Sequence, residues 1–437
     1  MLKKNDIFRV GVTDINNLGN GIARVDGMVV FISGAVTGDE LDIKIIKAAR
    51  DYAVARIEAV ATPSPYRISS DCSYSNRCGG CVYRNISREY EFELKQSYVK
   101  NAFHKAGIDA KVYETVTDNK ADGCRNKAQY PVSRENEIGF YARHSHDVVK
   151  CDSCRLVPDE FNEILKTVSG LINKYNISGI RHVCMRKGFG TGEIMLILVS
   201  YRSELDFKDE IVDELILKHP YIKSIVLNVN DEDTNVILGK KCIDLYGNGE
   251  IEDILCGLRF GISALSFYQV NHDMAERLYS EAIERVKSSN PKSVCDLYCG
   301  TGTIGLILAS ALDGIALTGV EIVPEAVENA RKNAEKNRIK KADFICADAM
   351  KTDVGGYDCI VIDPPRKGMG NELILKLLKE KPKKLVYISC NPDTLVRDAK
   401  QLICGGYKMS DVRPFDMFPR TGAIECVTDF TLPESES

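Results

Sequence analysis

Residues 1 to about 62 alternate apolar and polar positions with a period of two, in FRVGVTDI, GIARVDGMVVFISG, DELDIKII and YAVARIEAV. Alternation of this kind predicts strands with one buried face, and Asp26-Gly27 between two such runs predicts a hairpin turn. Several short strands with glycine-marked turns predict a small β-barrel related to the OB architecture. The stretch TPSPYR then reads as a linker. The period changes in SREYEFELKQSYVKNAFHKAG, where Tyr90, Leu94, Tyr98 and Ala102 recur every four residues. Ser87 supplies an N-cap, Glu89 and Glu91 fall in the first turn, and Gly107 closes the helix.

Residues 108 to about 260 mix strand and helix patterns without an internal repeat. From about Gly261 the two patterns alternate regularly. SVCDLY, ALTGVEI, ADFICAD, YDCIVID and KKLVYISC are short apolar strands, separated by helical segments such as PEAVENARKNAEKNR and NELILKLLKE. This predicts the α/β class, a parallel doubly wound sheet with ligands beyond the carboxyl ends of its strands. The expected domains are a barrel at 1–62, a central α+β domain at 66–260 and the doubly wound domain at 261–437. The helix near 87–107 is a candidate to pack on the last of these.

Composition narrows the setting. The hydrophobic content of 44% and charged content of 27% are those of an ordinary globular chain, and no apolar stretch approaches a membrane span. A cytoplasmic location without a membrane partner is expected. Sixteen cysteines in a long cytosolic chain point to metal or catalytic thiols in preference to disulfides. The net charge of −4 gives no support for a nucleic-acid partner. Between Arg366 and Lys408, however, ten Lys and Arg stand against four acids, which suits either a polyanionic substrate or a solvated helix face.

Candidate chemistry begins with CDLYCGTGTIG. Gly300, Gly302 and Gly305 form a G-x-G-x-x-G after a strand, and Glu321 ends the next strand. This is a dinucleotide fingerprint when read literally, and an NAD enzyme is a rival on that ground. The same geometry serves S-adenosylmethionine, with Glu321 on the ribose. IDPPRKG, with Asp363 at a later strand end, makes a stiff exposed turn that a dehydrogenase has no need of. Cys390 stands between the strand KKLVYISC and a helix opened by Asn391-Pro392. Free amides at that helix start are expected to lower its pKa and favour thiolate. A last group, Cys72, Cys78, Cys81 and Cys154, suits a 4Fe–4S cluster or structural zinc, with Cys151 a rival fourth ligand.

Together these residues resemble the RNA uracil-5 methyltransferase family, in the 23S ribosomal RNA branch that carries a TRAM domain and an iron–sulfur cluster. The resemblance rests on CGGC with the cluster cysteines, SFYQVN at Ser266 to Asn271, DLYCGTGT, DPPRKG and SCNPDTLVRD. It implies an RNA-binding TRAM barrel at 1–62 and a 4Fe–4S cluster on Cys72, Cys78, Cys81 and Cys154. It implies S-adenosylmethionine contacts from Gln269, Tyr298, Glu321 and Asp363, with Cys390 as nucleophile and Glu425 as base. The implied reaction is 5-methylation of a uridine in 23S ribosomal RNA, with tRNA as the alternative substrate and no DNA partner. PRTGAIECV departs from the family's usual PHTxHVE around the base, and Thr303 replaces a frequent asparagine in the cofactor loop. A non-catalytic RNA-binding protein built on the barrel and the cysteines is a further rival.

Overall fold

The alternating N-terminal runs form a six-stranded sheet in the order Ile7–Gly11, Glu40–Ala48, Tyr52–Thr62, Met28–Ser33, Asn20–Val25, Asp14–Ile15. Asp26 and Gly27 have φ of +49° and +82°, the left-handed pair that a two-residue turn between Val25 and Met28 requires. Register shifts along the Glu40–Ala48 and Tyr52–Thr62 pair curl the sheet around Ile32, Leu41, Ile43 and Ile45, which are fully buried. The computed structural model of the chain describes residues 2–232 and 234–433.

The predicted helix spans Arg88–Lys105, and the Ser87 side chain accepts from the Tyr90 amide. Its two ends bury against different partners. Tyr90 and Leu94 pack with Ile15 and Val36 of the barrel, whereas Val99, Ala102 and Phe103 pack with Leu395, Val396 and Val412 of the C-terminal part. Glu91, one of the two acids in the first turn, is fully buried with Lys95 one turn on.

The middle of the chain builds a mixed five-stranded sheet in the order Lys241–Tyr246, Ile222–Val229, Ile194–Ser200, Ile180–Lys187, Lys127–Pro131. Alternate residues serve opposite faces. Leu196 and Leu198 pack under the helices Asp159–Lys174 and Lys208–Lys218, while Met195, Ile197 and Val199 join the core that continues into the C-terminal part. The boundary expected at residue 261 falls inside the hairpin Glu250–Leu255 and Leu258–Ser263, whose Ile251, Phe260 and Ile262 belong to that shared core.

The C-terminal sheet runs Ala342–Cys346, Ala316–Glu321, Ser293–Leu297, Cys359–Ile362, Lys384–Ser389, Glu425–Thr431, Lys408–Met409, with Arg413–Phe415 also paired to Glu425–Thr431. The first five strands are parallel, and Glu425–Thr431 returns antiparallel beside Lys384–Ser389. Strand order reverses between Ser293–Leu297 and Cys359–Ile362, which is where a ligand crevice opens in such sheets.

Candidate active site

The parallel strands end on a common row. Register pairs Val320 with Leu297, Leu297 with Ile362, and Ile362 with Tyr387. One residue further on the row becomes Glu321, Tyr298, Asp363 and Ile388. Three of the expected cofactor residues thus flank the reversal point side by side.

Backbone geometry explains the loop beside them. Gly300 and Gly302 have φ of +56° and +78°, and a Cβ on Gly302 would press on Phe344 and Ala330. A Cβ on Gly300 would meet nothing within 4 Å, so that residue borders open space. Glu321 ties the loop to the neighbouring strand: its carboxylate accepts from Gly300 N at 3.1 Å, Ile322 N at 2.8 Å and Val323 N at 3.0 Å. Tyr298 sits at φ +65°, unusual for a residue with a side chain, and its hydroxyl reaches the Met369 carbonyl at 3.5 Å. Gln269 is buried on the segment before the helix His272–Lys287, where Asn126 holds its carbonyl at 2.8 Å.

One acid at the loop escaped the sequence reading. Asp296 is buried, accepts from Gly305 N at 3.0 Å through one oxygen, and has no partner for the other among the described residues. Burial pushes it up to about 8. An acid within the apolar run SVCDLY was the available signal.

Cys390 follows Ser389 at the strand end and precedes the helix Pro392–Cys404, capped by Asn391. Ser389 pairs with Cys426 in the antiparallel ladder, and the same register continued by one residue sets Cys390 opposite Glu425. Glu425 is 4% exposed, and its Oε2 has no hydrogen-bond partner among the described residues. Burial raises its carboxyl far above the ordinary range, the neighbouring Asp363 adds to this, and Arg366 opposes it. Burial likewise lifts the half-buried Asp363 to about 7. These two acids and Cys390 therefore stand in one place.

The expected thiolate is corrected here. Burial pushes the Cys390 thiol up to about 11, and the charges of Glu425 and Asp363 add to the rise. Arg366 opposes them without reversing the sum. Desolvation and two carboxyls outweigh the helix start. The basic surroundings are also dispersed. Lys384 is buried on Asp429, Arg397 pairs with Asp398, and Lys376 donates to the Thr352 carbonyl. Among the described residues Arg366 is a cation that bears on the thiol, and its place in DPPRKG was its sequence signal.

Cys72, Cys78, Cys81, Cys151 and Cys154 line one cavity of about 550 Å³. Its far wall holds Arg366, Phe418, Thr421 and Ala423, so the cavity runs from the cysteine loop to the segment before Glu425. Burial raises the thiols of Cys78, Cys81 and Cys154, while the Arg125 guanidinium opposes the rise at each. The Cys151 thiol donates to the Ser153 carbonyl at 2.8 Å. Among the described residues, no three His, Cys, Asp or Glu side chains converge closely enough to hold a metal ion. The five thiols share a cavity lining without three of them meeting at a point.

Comparison with known proteins finds matches along the whole chain. Residues 2–57 match the TRAM domain, 264–387 the methyltransferase small domain, and 348–430 the tRNA (uracil-5-)-methyltransferase family. A protein of Bacillus cereus named as an uncharacterized RNA methyltransferase is 38% identical over 446 residues, spanning 98% of this chain and 96% of its own. One of Halalkalibacterium halodurans with the same description is 38% identical over 451 residues, covering 99% and 98%. A crystal structure of Pyrococcus abyssi tRNA (uracil-54, C5)-methyltransferase in complex with S-adenosyl-L-homocysteine superposes with a TM-score of 0.81. It is 26% identical and covers 97% of this chain and all of its own. The chain belongs to the RNA methyltransferase family, in the uracil-5 group with an N-terminal TRAM domain.

Proposed function

We propose that the protein methylates carbon 5 of a uridine in 23S ribosomal RNA through a transient covalent bond between Cys390 and the uracil ring. The supporting observation is the setting of Cys390 opposite Glu425, with Asp363 beside both, on the rim that also carries Glu321 and Tyr298.

Carbon 5 of uracil is a poor nucleophile. Addition of the Cys390 sulfur to carbon 6 moves the carbon 5–carbon 6 π pair into an enolate, and carbon 5 then has a pair to donate. S-adenosylmethionine, when bound, supplies an electrophilic methyl group to that carbon. Gln269, Tyr298, Glu321 and Asp363 are the residues that would hold it, and the open space beside Gly300 suits its close approach. Glu425 then takes the carbon 5 proton, the C–H pair restores the double bond, and the carbon 6–sulfur bond breaks to release Cys390. A paired uridine does not reach such a rim, so the target is single-stranded or flipped out.

Cys72, Cys78, Cys81 and Cys154 would hold a 4Fe–4S cluster, with Cys151 the rival fourth ligand. Thiolates are the ligands these clusters take, and these cysteines share the lining of one cavity. Its contribution there would be a structural cross-link of the cysteine loop. The barrel at 1–62 would bind RNA, with the 66–260 and 261–437 parts carrying the cluster and the transfer chemistry.

The same chemistry on tRNA is the second reading, favoured by whole-chain likeness to the Pyrococcus abyssi enzyme. Mapping 5-methyluridine in both RNAs from a strain lacking the protein separates the two. Loss from 23S RNA is expected, loss from tRNA alone selects the second reading, and loss from neither removes both.

A further inference from the structure

The segment just before Glu425 is gripped from three sides by residues that touch none of the reacting groups. Arg420 is buried at φ +64°, a left-handed conformation that few residues with side chains adopt. Its carbonyl accepts from Val82 N at 2.9 Å and Tyr83 N at 3.1 Å, both in the cysteine loop. Its amide donates to Glu91 Oε1 at 2.7 Å, and its guanidinium donates to the Ile86 carbonyl at 3.0 Å and the Tyr83 carbonyl at 3.3 Å.

Two residues on, the loop meets the barrel. A Cβ at Gly422 would lie 1.8 Å from the Asn17 carbonyl oxygen, so no side chain fits there without displacing one backbone or the other. The same barrel turn meets the cysteine loop as tightly. A Cβ at Gly19 would lie 2.5 Å from Val82 Cβ, and the Tyr83 hydroxyl donates to the Asn16 carbonyl at 3.0 Å. Barrel turn, cysteine loop and pre-Glu425 loop thus interlock without room for a methyl group. Arg420 and Gly422 lie in PRTGAIECV, the stretch that departs from the family's usual pattern.

We propose that Arg420 and Gly422 are positioning residues through which the barrel and the cysteine loop set the place of Glu425, and so the rate of the final proton abstraction. This rests on the reading of Glu425 as the base. A displacement of about 1 Å at a proton-transfer group costs on the order of a hundredfold in rate. RNA affinity does not depend on that place, and sulfur addition depends on it only through the charge that Glu425 sets beside the thiol, which a displaced carboxyl eases.

The test uses the full-length protein and an RNA that it methylates, with adduct formation and adduct breakdown timed separately in a single turnover. Gly422→Ala and Arg420→Ala are expected to form adduct within about twofold of the unaltered protein and to release it about a hundredfold more slowly. kcat falls accordingly while the RNA dissociation constant holds. Arg420→Lys, which keeps a donor without adding bulk, recovers part of the breakdown rate and serves where Gly422→Ala fails to fold. Equal slowing of both phases, or normal breakdown in the Arg420 variants, overturns the positioning role. Glu425→Gln is run beside them. Adduct there with normal breakdown in the other variants removes the positioning role alone, and no adduct there removes the base and this proposal together.

Discussion

Cys390 and Glu425 face each other across the end of an antiparallel strand pair, because the register that sets Ser389 against Cys426 continues by one residue. A thiol and a carboxyl set this close could act in turn on adjacent ring carbons, as the proposed reaction requires. Replacing Cys390 by Ala is expected to leave cofactor and RNA binding intact, abolish the covalent RNA adduct, and lower turnover by roughly 10⁴-fold or more. Denaturing gels of labelled RNA measure the adduct, and a fully active variant would remove the nucleophile.

Glu425→Gln keeps the size of the side chain and removes its ability to take a proton. The covalent species is expected to accumulate while product formation falls by roughly 10²- to 10⁴-fold. An active, adduct-free variant would assign the proton abstraction to another group.

A thiol raised to about 11 is mostly protonated at neutral pH, so the reactive anion grows as pH rises. The rate of adduct formation is therefore expected to climb from about pH 7 toward 9, about tenfold per unit, without a plateau in that range. Arg366 opposes the rise at both Cys390 and Glu425. Removing its charge disfavours both anions, so Arg366→Met is expected to be slower at neutral pH, with its profile displaced toward alkali. A profile that is flat, or displaced toward acid, contradicts this account.

Lys95 is buried between Glu91, at 3.0 Å, and Asp416, and also donates to the Phe418 carbonyl at 3.0 Å. Arg88 pairs with the same two acids. Lys95→Met leaves two buried carboxylates short of a partner and is expected to cost about 3–5 kcal/mol in denaturant unfolding. A loss below about 1 kcal/mol means that solvent reaches those carboxylates in the variant.

The cysteine cavity predicts that anaerobically purified protein is brown and carries iron and sulfide. Cys154→Ser is expected to lose the colour and Cys151→Ser to keep it. Colourless protein containing zinc removes the cluster, and the reverse pattern between the two variants exchanges the ligands.

Local patterns were sufficient for the elements. Period-two runs and the Asp26-Gly27 turn specified the N-terminal sheet, Ser87 and Gly107 bracketed a helix, and apolar runs marked the parallel strands, because each depends on near neighbours in the chain. Positions of Cys390 and Asp363 at strand ends were legible for the same reason. Contacts between distant segments were not. The burial of Glu91 was not legible in its own stretch, because the Arg420 amide and Asp416, which shares Lys95 with it, arrive only when the C-terminal loop docks.

The sequence by itself determined which residues end the strands and which turns and caps separate the elements, since a few consecutive side chains decide backbone preference. Only the tertiary structure decided that Glu425 returns beside Cys390, that the thiol is raised instead of lowered, and that three loops lock together behind Glu425. Register across non-adjacent strands and loss of hydration both arise from packing, which no single stretch of chain encodes.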